Sequence, residues 1–492
     1  MRILIVTGKL AENTVRQSVK YIADVLILNI EVAAFTTPAL LKRSIPDQKY
    51  DLILVPGLSS GDFSSLEKEI GTPVRLGPKH AIDLGFVLSF AGEISFSQKV
   101  PACELLVEKR RISAIDMMKK LEETAVSPLT LKNVKIGGSS RMKVMAEIVD
   151  AGHLEKNELI DKIIYFAGSG ADIIDLGMSL DTTEDQAKAA VMAAQSITAI
   201  PVSIDTLDPS LINAGVDAGV DLVLSLNSEN IYEVKDNIIK HSTAAVLIPD
   251  HAEDIESLFQ NMELARGYGI TEILADPVLE PVGHGFVESM NRYFEFRESD
   301  PGTPLFFGAG NVTELIDADS IGINSLLSGI AMELEAGILF SPEFSRKAHG
   351  SVSELKTASM MMMLARQRNS APKDLGIDML VLKEKRKREF AALPENFIES
   401  KANEKWRLDP AGCFKIGISE DEIRNGKLHT GMIIANHKKS SIAGATAKEV
   451  MDTIIELGLV SKLDHAAYLG RELMKAELAL KLKRSYSQDD KF

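Results

Sequence analysis

The segment IPVSIDTLDPSLINAGVDAGVDLVLSLN (residues 200–227) is the clearest indication of the fold class. It contains two short apolar runs that begin near Pro201 and Asp221, 20 residues apart, with a helix-length stretch between them. Strands that alternate with helices in this way form parallel sheets. Each apolar run also ends in polar residues. The segment is therefore interpreted as one strand, helix and strand unit of an α/β protein.

The same alternation extends in both directions from this segment. Eight short apolar runs follow one another at intervals of 20 to 38 residues, and candidate amphipathic helices lie between them. The runs begin near Val134, Asp172, Pro201, Asp221, Ala244, Glu272, Pro304 and Gly337. Eight such units within residues 130–366 match a (β/α)8 barrel, which typically needs about 250 residues. A doubly wound open sheet is the alternative.

The regions on either side of the barrel have a different pattern. Residues 1–125 alternate β-rich runs with helical stretches, which predicts a small N-terminal α/β domain of the flavodoxin or Rossmann type. Residues 372–492 mix strand-like runs with a long helical segment, which predicts a C-terminal α+β domain. The charge run KEKRKREF (383–390) is expected to be a solvated face or a linker. The predicted fold class is thus α/β, with a central TIM barrel and two flanking domains.

Composition restricts the classes of partner and compartment. The chain has 492 residues with 55 Lys plus Arg and 70 Asp plus Glu, so its formal net charge is −15, which argues against a nucleic-acid partner. Only Cys103 and Cys413 are present, which predicts no thiolate metal site and indicates a reducing compartment. No apolar run reaches the roughly 18 residues of a membrane span, and the N-terminus lacks the pattern of a signal peptide. We expect a soluble cytoplasmic protein with no membrane partner.

The candidate site lies at the carboxyl ends of the predicted strands. In such barrels the loops that follow the strands surround one cleft, whereas the strand interiors are filled with side chains. The polar residues that follow the apolar runs are therefore the candidate site residues. They are Asp175, Asp205, Ser225, Asn227, Asp250, Asp276, Asn311, Arg346, Lys347 and His349. Four carboxylates would converge on one mouth.

Carboxylates at such a rim have two interpretations. Each could cap the helix that begins beside it. Asp175, Asp205 and Asp276 stand at the strand ends themselves, however, where an unpaired buried charge is costly, so this set needs a partner. A divalent metal would take several oxygens, whereas a flat heterocycle with an NH and NH2 edge would donate two parallel hydrogen bonds to one carboxylate. Asn227 and Asn311 favour the heterocycle, and we assign no metal ligand.

Three segments resemble motifs of the pterin-binding barrels, the superfamily of dihydropteroate synthase and the pterin-dependent methyltransferases. GADIIDLG (170–177), IPVSIDT (200–206) and LADP (274–277) are similar to the synthase motifs of strands two, three and six. This resemblance implies a reduced pterin as substrate or cofactor, with Asp276 at the 2-amino and N3 edge of the ring and Asp205 beneath it. The architecture also resembles archaeal-type proteins that are related to dihydropteroate synthase and associated with tetrahydromethanopterin.

Other positions depart from the synthase pattern. Leu224 and Ser225 stand where the synthases have an Asn-Asp pair, so Asn227 would have to reach inward. GAGNVTE (308–314) replaces a Ser-Arg-Lys motif and is more similar to the methyltransferase branch. In that branch an Asn, here Asn311, lies near pterin N5.

The anion-binding elements also differ. GGSSRMK (137–143) replaces the strand-one loop that helps the synthases to hold diphosphate. We expect it to follow strand one and to cradle an anion through four side chains. They are Ser139, Ser140, Arg141 and Lys143. The synthases' Arg-x-His motif after strand eight has no counterpart in register, and three basic or histidine residues follow a few positions later, Arg346, Lys347 and His349.

The resemblance implies two reactions, with Asp205, Asp276 and Asn311 as the catalytic residues. The first joins a hydroxymethyl-dihydropterin diphosphate to an arylamine in folate or tetrahydromethanopterin biosynthesis, with the basic residues and Mg2+ on the leaving diphosphate. The second moves a methyl group from pterin N5 to a corrinoid or thiol acceptor, with Asn311 polarising N5. We place the synthase-type reaction first and methyl transfer second.

A third interpretation is a non-catalytic pterin-binding subunit. Two elements of the last domain, DPAGCFKI (409–416) and IIANH (433–437), resemble the corrinoid-carrying subunit of a methanopterin methyltransferase, so a corrinoid protein is a candidate partner. A homodimer is expected by analogy with other barrels of the superfamily.

Overall fold

A computed structural model describes residues 1–383, 393–401, 407–424 and 427–490. Residues 384–390, most of the predicted charge run, lie outside this part of the chain. The chain divides into two compact units, residues 1–117 and 118–492, and each is described by itself. The finer division into three domains stays a prediction.

The first unit is a four-stranded parallel sheet with the strand order β2-β1-β3-β4. Its strands are β1 (Ile3–Thr7), β2 (Asp24–Ile27), β3 (Leu52–Val55) and β4 (Val74–Leu76). Its helices are α1 (Glu12–Val19), α2 (Pro38–Ser44), α3 (Ser64–Ile70), α4 (Leu84–Ser89) and α5 (Ala102–Leu105), and α6 (Val107–Thr124) contains the division between the units. Successive strand residues face opposite sides, so Leu4 and Ile5 belong to two different apolar clusters. The N-terminal α/β fold is as predicted.

The second unit contains a closed barrel of eight parallel strands, which confirms the predicted fold class. The strands are β7 (Lys143–Ile148), β8 (Ile173–Gly177), β9 (Val202–Asp205), β10 (Leu222–Leu226), β11 (Ala244–Leu247), β12 (Ile273–Ala275), β13 (Leu305–Phe307) and β14 (Ala336–Ser341). They pair in chain order, and β14 closes the ring on β7.

Helices follow the strands around the barrel. They are α7 (Lys156–Ser169), α8 (Glu184–Ile197), α9 (Pro209–Asp217), α10 (Ile231–His241), α11 (Ile255–Tyr268), α12 (Phe286–Ser299), α13 (Gly310–Thr313), α14 (Ser320–Glu333) and α15 (Ser351–Arg368). Local sequence sets their ends. The Thr183 side chain caps α8 in a capping box with Gln186, and Asp208 caps α9, whose first residue is Pro209. Gly170 ends α7 at φ 99°, a conformation that glycine adopts without strain.

Alternate residues of the barrel strands fill the interior. Met145, Ile173 and Leu274 belong to the apolar cluster inside the barrel. Because side chains alternate along a strand, residues two positions further on face the same interior. Glu147 and Asp175 therefore face inward near the carboxyl ends of their strands.

The first barrel strand lies later in the chain than predicted. The run at Val134 forms β6 (Val134–Ile136), which pairs antiparallel with β5 (Leu129–Leu131) in a hairpin. Leu129 and Ile136 pack into the same apolar cluster as the barrel interior, next to the beginning of β14. The hairpin thus covers the amino-terminal end of the barrel, which explains why it is as apolar as a barrel strand.

The end of the chain forms two small antiparallel sheets and two helices. The strands are β15 (Phe414–Ile418), β16 (Glu422–Arg424), β17 (Lys427–His429), β18 (Ile433–His437) and β19 (Ser440–Gly444), in the orders β15-β18-β19 and β16-β17. The helices are α16 (Ala447–Glu456) and α17 (Leu463–Lys481). Gly458, at φ 62°, follows α16 and interrupts what the sequence predicts as one long helix. In the described part of the chain no helix has the length and apolar character that a membrane span requires.

Candidate functional site

Three carboxylates from successive strands meet inside the carboxyl-terminal end of the barrel. Glu147 lies on β7, Asp175 on β8 and Asp205 on β9, and one oxygen of each lies within 4.8 Å of the other two. The strand register explains this meeting, because Glu147 pairs with Asp175, and Gly177 pairs with Asp205. We call these three residues the carboxylate cluster.

Asp175 is the deepest member of the carboxylate cluster, with no exposed surface. Its Oδ1 accepts a hydrogen bond of 2.5 Å from the Ser203 hydroxyl. Its Oδ2 is buried and has no hydrogen-bond partner among the described residues. A buried carboxylate oxygen without a donor is costly, so this atom needs a ligand or a proton.

A glycine makes room for the Glu147 carboxylate. A Cβ atom placed on Gly177 would stand 2.5 Å from Glu147 Oε1 and 3.4 Å from its Cδ. Any side chain at position 177 would therefore displace this carboxylate. The glycine that ends the GADIIDLG segment thus shapes the carboxylate cluster.

Asp276 follows β12 and is held by two donors. Its Oδ1 accepts hydrogen bonds of 2.8 Å from the Val278 backbone N–H and of 2.8 Å from the Tyr293 hydroxyl. Tyr293 lies on α12 with no exposed surface, and its hydroxyl is also 3.0 Å from the Phe306 carbonyl oxygen. The Asp276 carboxylate is therefore fixed in orientation.

The site is strongly acidic, and its groups resist ionisation. Burial, followed by the charge of Asp205, raises the pKa of Glu147 to about 7. Burial, followed by the charge of Asp276, raises the pKa of Asp205 to about 7. Burial also raises the pKa of Asp276 to about 6 and raises that of Asp175 well above its ordinary value. The charges that raise these values come from other carboxylates, so the site favours protons, cations or a ligand rich in N–H donors.

Two predicted rim residues take part in the loops rather than in the acidic site. Asp250 accepts hydrogen bonds from Ser228 and from the Asn261 amide, which lower its pKa although burial opposes this. Asn227 Oδ1 accepts a hydrogen bond of 3.1 Å from the Glu229 backbone N–H. These contacts give both side chains a role in holding the βα loops.

Two further candidates also have local partners. The Ser225 carbonyl oxygen accepts a hydrogen bond of 3.0 Å from Asn230 Nδ2. Asn311, on α13, is exposed and donates a hydrogen bond of 2.8 Å to the Leu279 carbonyl oxygen. Leu279 lies three residues beyond Asp276, so this bond ties Asn311 to the loop that carries Asp276.

Of the four residues predicted to cradle an anion after strand one, three lie before that strand and Lys143 is its first residue, so this prediction of their position is wrong. Arg141 Nη2 pairs with Asp172 Oδ1 at 2.7 Å, and Lys143 Nζ pairs with Glu122 Oε1 at 2.8 Å, both buried at the amino-terminal end of the barrel. The hydroxyls of the other two residues bond the neighbouring backbone at 126, 135 and 137. The predicted position is wrong because the first strand was placed near Val134, whereas β7 begins at Lys143. The residues concerned are Ser139, Ser140, Arg141 and Lys143.

Arg346, Lys347 and His349 follow β14, as predicted, and each has an acidic partner. These partners are Glu420 at 2.6 Å, Asp317 at 2.8 Å and Glu343 at 3.2 Å, respectively. Arg346 and His349 line a cavity of about 900 Å3 between α7, the segment after β14 and the C-terminal strands. Arg346 and His349 therefore belong to the lining of that cavity and not to the carboxylate cluster.

Sequence reasoning missed three residues of the site. Glu147 could have been found, because KVMAEI (143–148) alternates and places residues 143, 145 and 147 on one face once this segment is taken as the strand. Gly177 and Tyr293 carry no such signal. The role of Gly177 depends on the distance between two strands, and that of Tyr293 on the packing of its ring against Phe307 of β13.

The fold and this arrangement define a (β/α)8-barrel protein with an acidic site at the carboxyl ends of its strands. Similar solved structures include dihydropteroate synthases. That of Yersinia pestis is 19% identical, with 49% of this chain and 99% of that chain covered and a TM-score of 0.41. That of Thermus thermophilus is 18% identical, with 44% and 92% covered and a TM-score of 0.37.

Two family models match the two ends of the chain. Residues 408–489 match the family model described as PterinBD-DUF4346, and residues 1–79 match a family of unknown function, DUF6513. The uncharacterized protein MJ0107 of Methanocaldococcus jannaschii is 38% identical over 523 aligned positions, which cover 99% of this chain and 98% of that protein. The chain belongs to the family of that protein. A Ycf91-like protein of Nostoc is 52% identical over 50 residues, 10% of this chain and 39% of that protein.

Proposed function

We propose that the protein is a pterin-binding transferase in which Asp205 and Asp276 hold the ring. The observation that carries this proposal is that Asp205, at the end of β9, and Asp276, directly after β12, lie at the same end of one closed barrel and are both only partly exposed to solvent. A pterin presents adjacent N–H and NH2 donors, which suit a fixed carboxylate acceptor. The three sequence motifs that resemble those of the pterin-binding barrels include Asp175, Asp205 and Asp276.

Two reactions are consistent with a ring in this position. Condensation with an arylamine expels diphosphate, which needs positive charge at the mouth. Arg141 and Lys143 are buried in ion pairs at the other end of the barrel, so Arg346 and Lys347 are the cations of the prediction that remain on the carboxyl side. This arrangement gives the synthase-type reaction less support than the sequence did.

Methyl transfer from pterin N5 is the second candidate, and the placement of Asn311 favours it. The Asn311 amide is held by the Leu279 carbonyl oxygen, in the loop that begins at Asp276. An amide beside the ring edge could polarise N5 without any diphosphate site. A non-catalytic pterin-binding subunit is the outcome if neither reaction is found.

The binding proposal is tested by titrating 6-hydroxymethyl-7,8-dihydropterin into the protein in a calorimeter. Because each variant removes an acceptor that bears charge, Asp205→Asn and Asp276→Asn should each weaken binding by about 10- to 100-fold. Asp181→Asn is the matched control, since this exposed aspartate pairs with His153. Wild-type affinity in both site variants would contradict the proposal.

The reaction is tested by two assays on the same preparation. The first supplies the pterin hydroxymethyl diphosphate with an arylamine and measures diphosphate release. The second supplies an N5-methylated tetrahydropterin with a thiol or a corrinoid and measures methyl loss. Asn311→Ala should reduce the second activity and leave the first unchanged, and the reverse result would favour the synthase-type reaction.

A further inference from the structure

We propose that the carboxylate cluster of Glu147, Asp175 and Asp205 is a binding site for one hard divalent cation, Mg2+ or Mn2+. The site goes beyond the proposed pterin binding, because it uses two carboxylates that the ring does not need. It lies on β7, β8 and β9 and shares Asp205 with the proposed pterin site. Its existence does not depend on whether a pterin binds.

The buried oxygen of Asp175 is the first argument for a ligand at this position. Asp175 Oδ2 lies inside the barrel with no hydrogen-bond partner among the described residues, although the Ser203 hydroxyl serves Oδ1 of the same group. Asp175 is completely buried, so bulk water does not solvate this oxygen. A cation bound to Oδ2 would remove the cost of burying an acceptor without a donor.

The geometry of the three oxygens is the second argument. One oxygen from each side chain lies within 4.8 Å of the other two. Oxygen ligands on opposite sides of a cation are about 4.2 Å apart for Mg2+ and about 4.8 Å apart for Ca2+. Small rotations of the side chains would therefore bring all three oxygens to one ion, with no movement of the strands.

The chemistry of the donors decides the class of metal. All three are carboxylates, and no histidine or cysteine belongs to this group in the part of the chain that the structure describes. Oxygen-only sites select Mg2+, Mn2+ or Ca2+ over zinc and copper. The remaining positions of an octahedral ion would be taken by water or by an oxygen of the substrate.

The position of Gly177 supports a built site rather than an accidental meeting of acids. The glycine allows the Glu147 carboxylate to lie against β8, where a Cβ would stand 2.5 Å from Oε1. Ser203 fixes the Asp175 carboxylate from below. One of the three carboxylates is thus held by a hydrogen bond, and a second has space that a glycine leaves for it.

The test is a titration of Mn2+ into protein from which metal has been removed with a chelator, with no pterin present. Electron paramagnetic resonance measures the concentration of free Mn2+ at each step. We expect one saturable site per chain. Glu147→Gln and Asp175→Asn should each weaken it by about 100-fold, because each removes a charged ligand. Asp181→Asn, at an exposed aspartate that pairs with His153, should retain wild-type Mn2+ affinity. Mn2+ binding that fails in wild type, or that persists in both cluster variants, would overturn the proposal.

Folding and pterin binding are measured in the same samples. Asp175→Asn keeps the oxygen that accepts from Ser203 and should show the circular dichroism spectrum of the wild type. If it folds and binds Mn2+ like the wild type, Asp175 is not a ligand. Failure of the pterin proposal would appear in the pterin titrations of the wild type, Asp205→Asn and Asp276→Asn, whereas failure of the metal proposal would appear in the Mn2+ titrations of the wild type, Glu147→Gln and Asp175→Asn, so the two proposals fail separately.

Discussion

The Glu147 carboxylate occupies the space that a side chain at Gly177 would fill, with Oε1 only 2.5 Å from the position of a Cβ. Neither residue is informative by itself in the sequence. Together they give a physical reason for the glycine at the end of β8. The Glu147 carboxylate of the neighbouring strand β7 lies against this position and leaves no room for a side chain. The pair can be tested without removing any ligand atom.

Gly177→Ala should weaken Mn2+ binding by about 10-fold or more, because the new methyl group pushes the Glu147 carboxylate away from its partners. The variant should fold, since the clash involves the end of a flexible side chain and Gly177 does not have a positive φ. The measurement is the same Mn2+ titration. Gly322→Ala, at a helix position where a Cβ meets open space, is the matched control and should bind Mn2+ normally. Unchanged affinity in Gly177→Ala would show that Glu147 need not occupy this position.

Tyr293→Phe should weaken binding of the reduced pterin by about 3- to 10-fold, because it removes a donor that orients Asp276. Tyr293 acts through Asp276 and is a positioning residue. General damage to the barrel would also disturb the carboxylate cluster, so Mn2+ affinity is measured in parallel and should not change. Tyr232→Phe, at an exposed tyrosine, serves as the control. Equal losses of pterin and Mn2+ affinity would mean that Tyr293 has only a structural role.

The barrel could be predicted from sequence because seven of its strands coincide with predicted apolar runs. The remaining prediction, a first barrel strand that begins near Val134, was wrong, and the cause is physical. Val134–Ile136 covers the end of the barrel and is apolar for that purpose, whereas the real first strand carries Lys143 and Glu147 on its inner face. Both charged side chains face into the barrel. The inner face of this strand is therefore not the apolar run by which a barrel strand is recognised in a sequence.

The acidic site was predicted in part, because Asp175, Asp205 and Asp276 stand at the carboxyl ends of parallel strands. These ends lie together at one end of the barrel. The sequence did not predict which residue each charged side chain pairs with. Arg141 pairs with Asp172 across two strands, and only the three-dimensional register brings these residues together.

Removal of divalent metal should lower the stability of the wild type. A cation that binds only the folded chain stabilises it by about 2.7 kcal/mol at a free concentration of about 100 times its Kd. Urea unfolding followed by circular dichroism, with Mn2+ and after treatment with a chelator, measures this difference. Asp175→Asn should unfold at the same urea concentration in both conditions. Equal midpoints for the wild type in both conditions would contradict a folded-state metal site.

Asp172→Asn should destabilise the second unit by about 3–5 kcal/mol near neutral pH, because it leaves the buried charge of Arg141 and the partly buried charge of Lys356 without their carboxylate. Burial alone would raise the pKa of Asp172, but these two cations lower it to about 2. A carboxyl whose pKa is depressed by folding contributes stability above its unfolded pKa of about 4, and this contribution is lost as the pH falls toward 2.

The difference in the free energy of unfolding between the wild type and Asp172→Asn should therefore narrow as the pH falls from about 5 toward 2, by about 2 kcal/mol in total. Urea unfolding at a series of pH values measures it. Asp317→Asn is the matched control, because this aspartate is exposed where it pairs with Lys347, and the variant should unfold like the wild type at every pH. A difference that stays constant with pH would mean that Asp172 acts through packing and hydrogen bonds rather than through its charge.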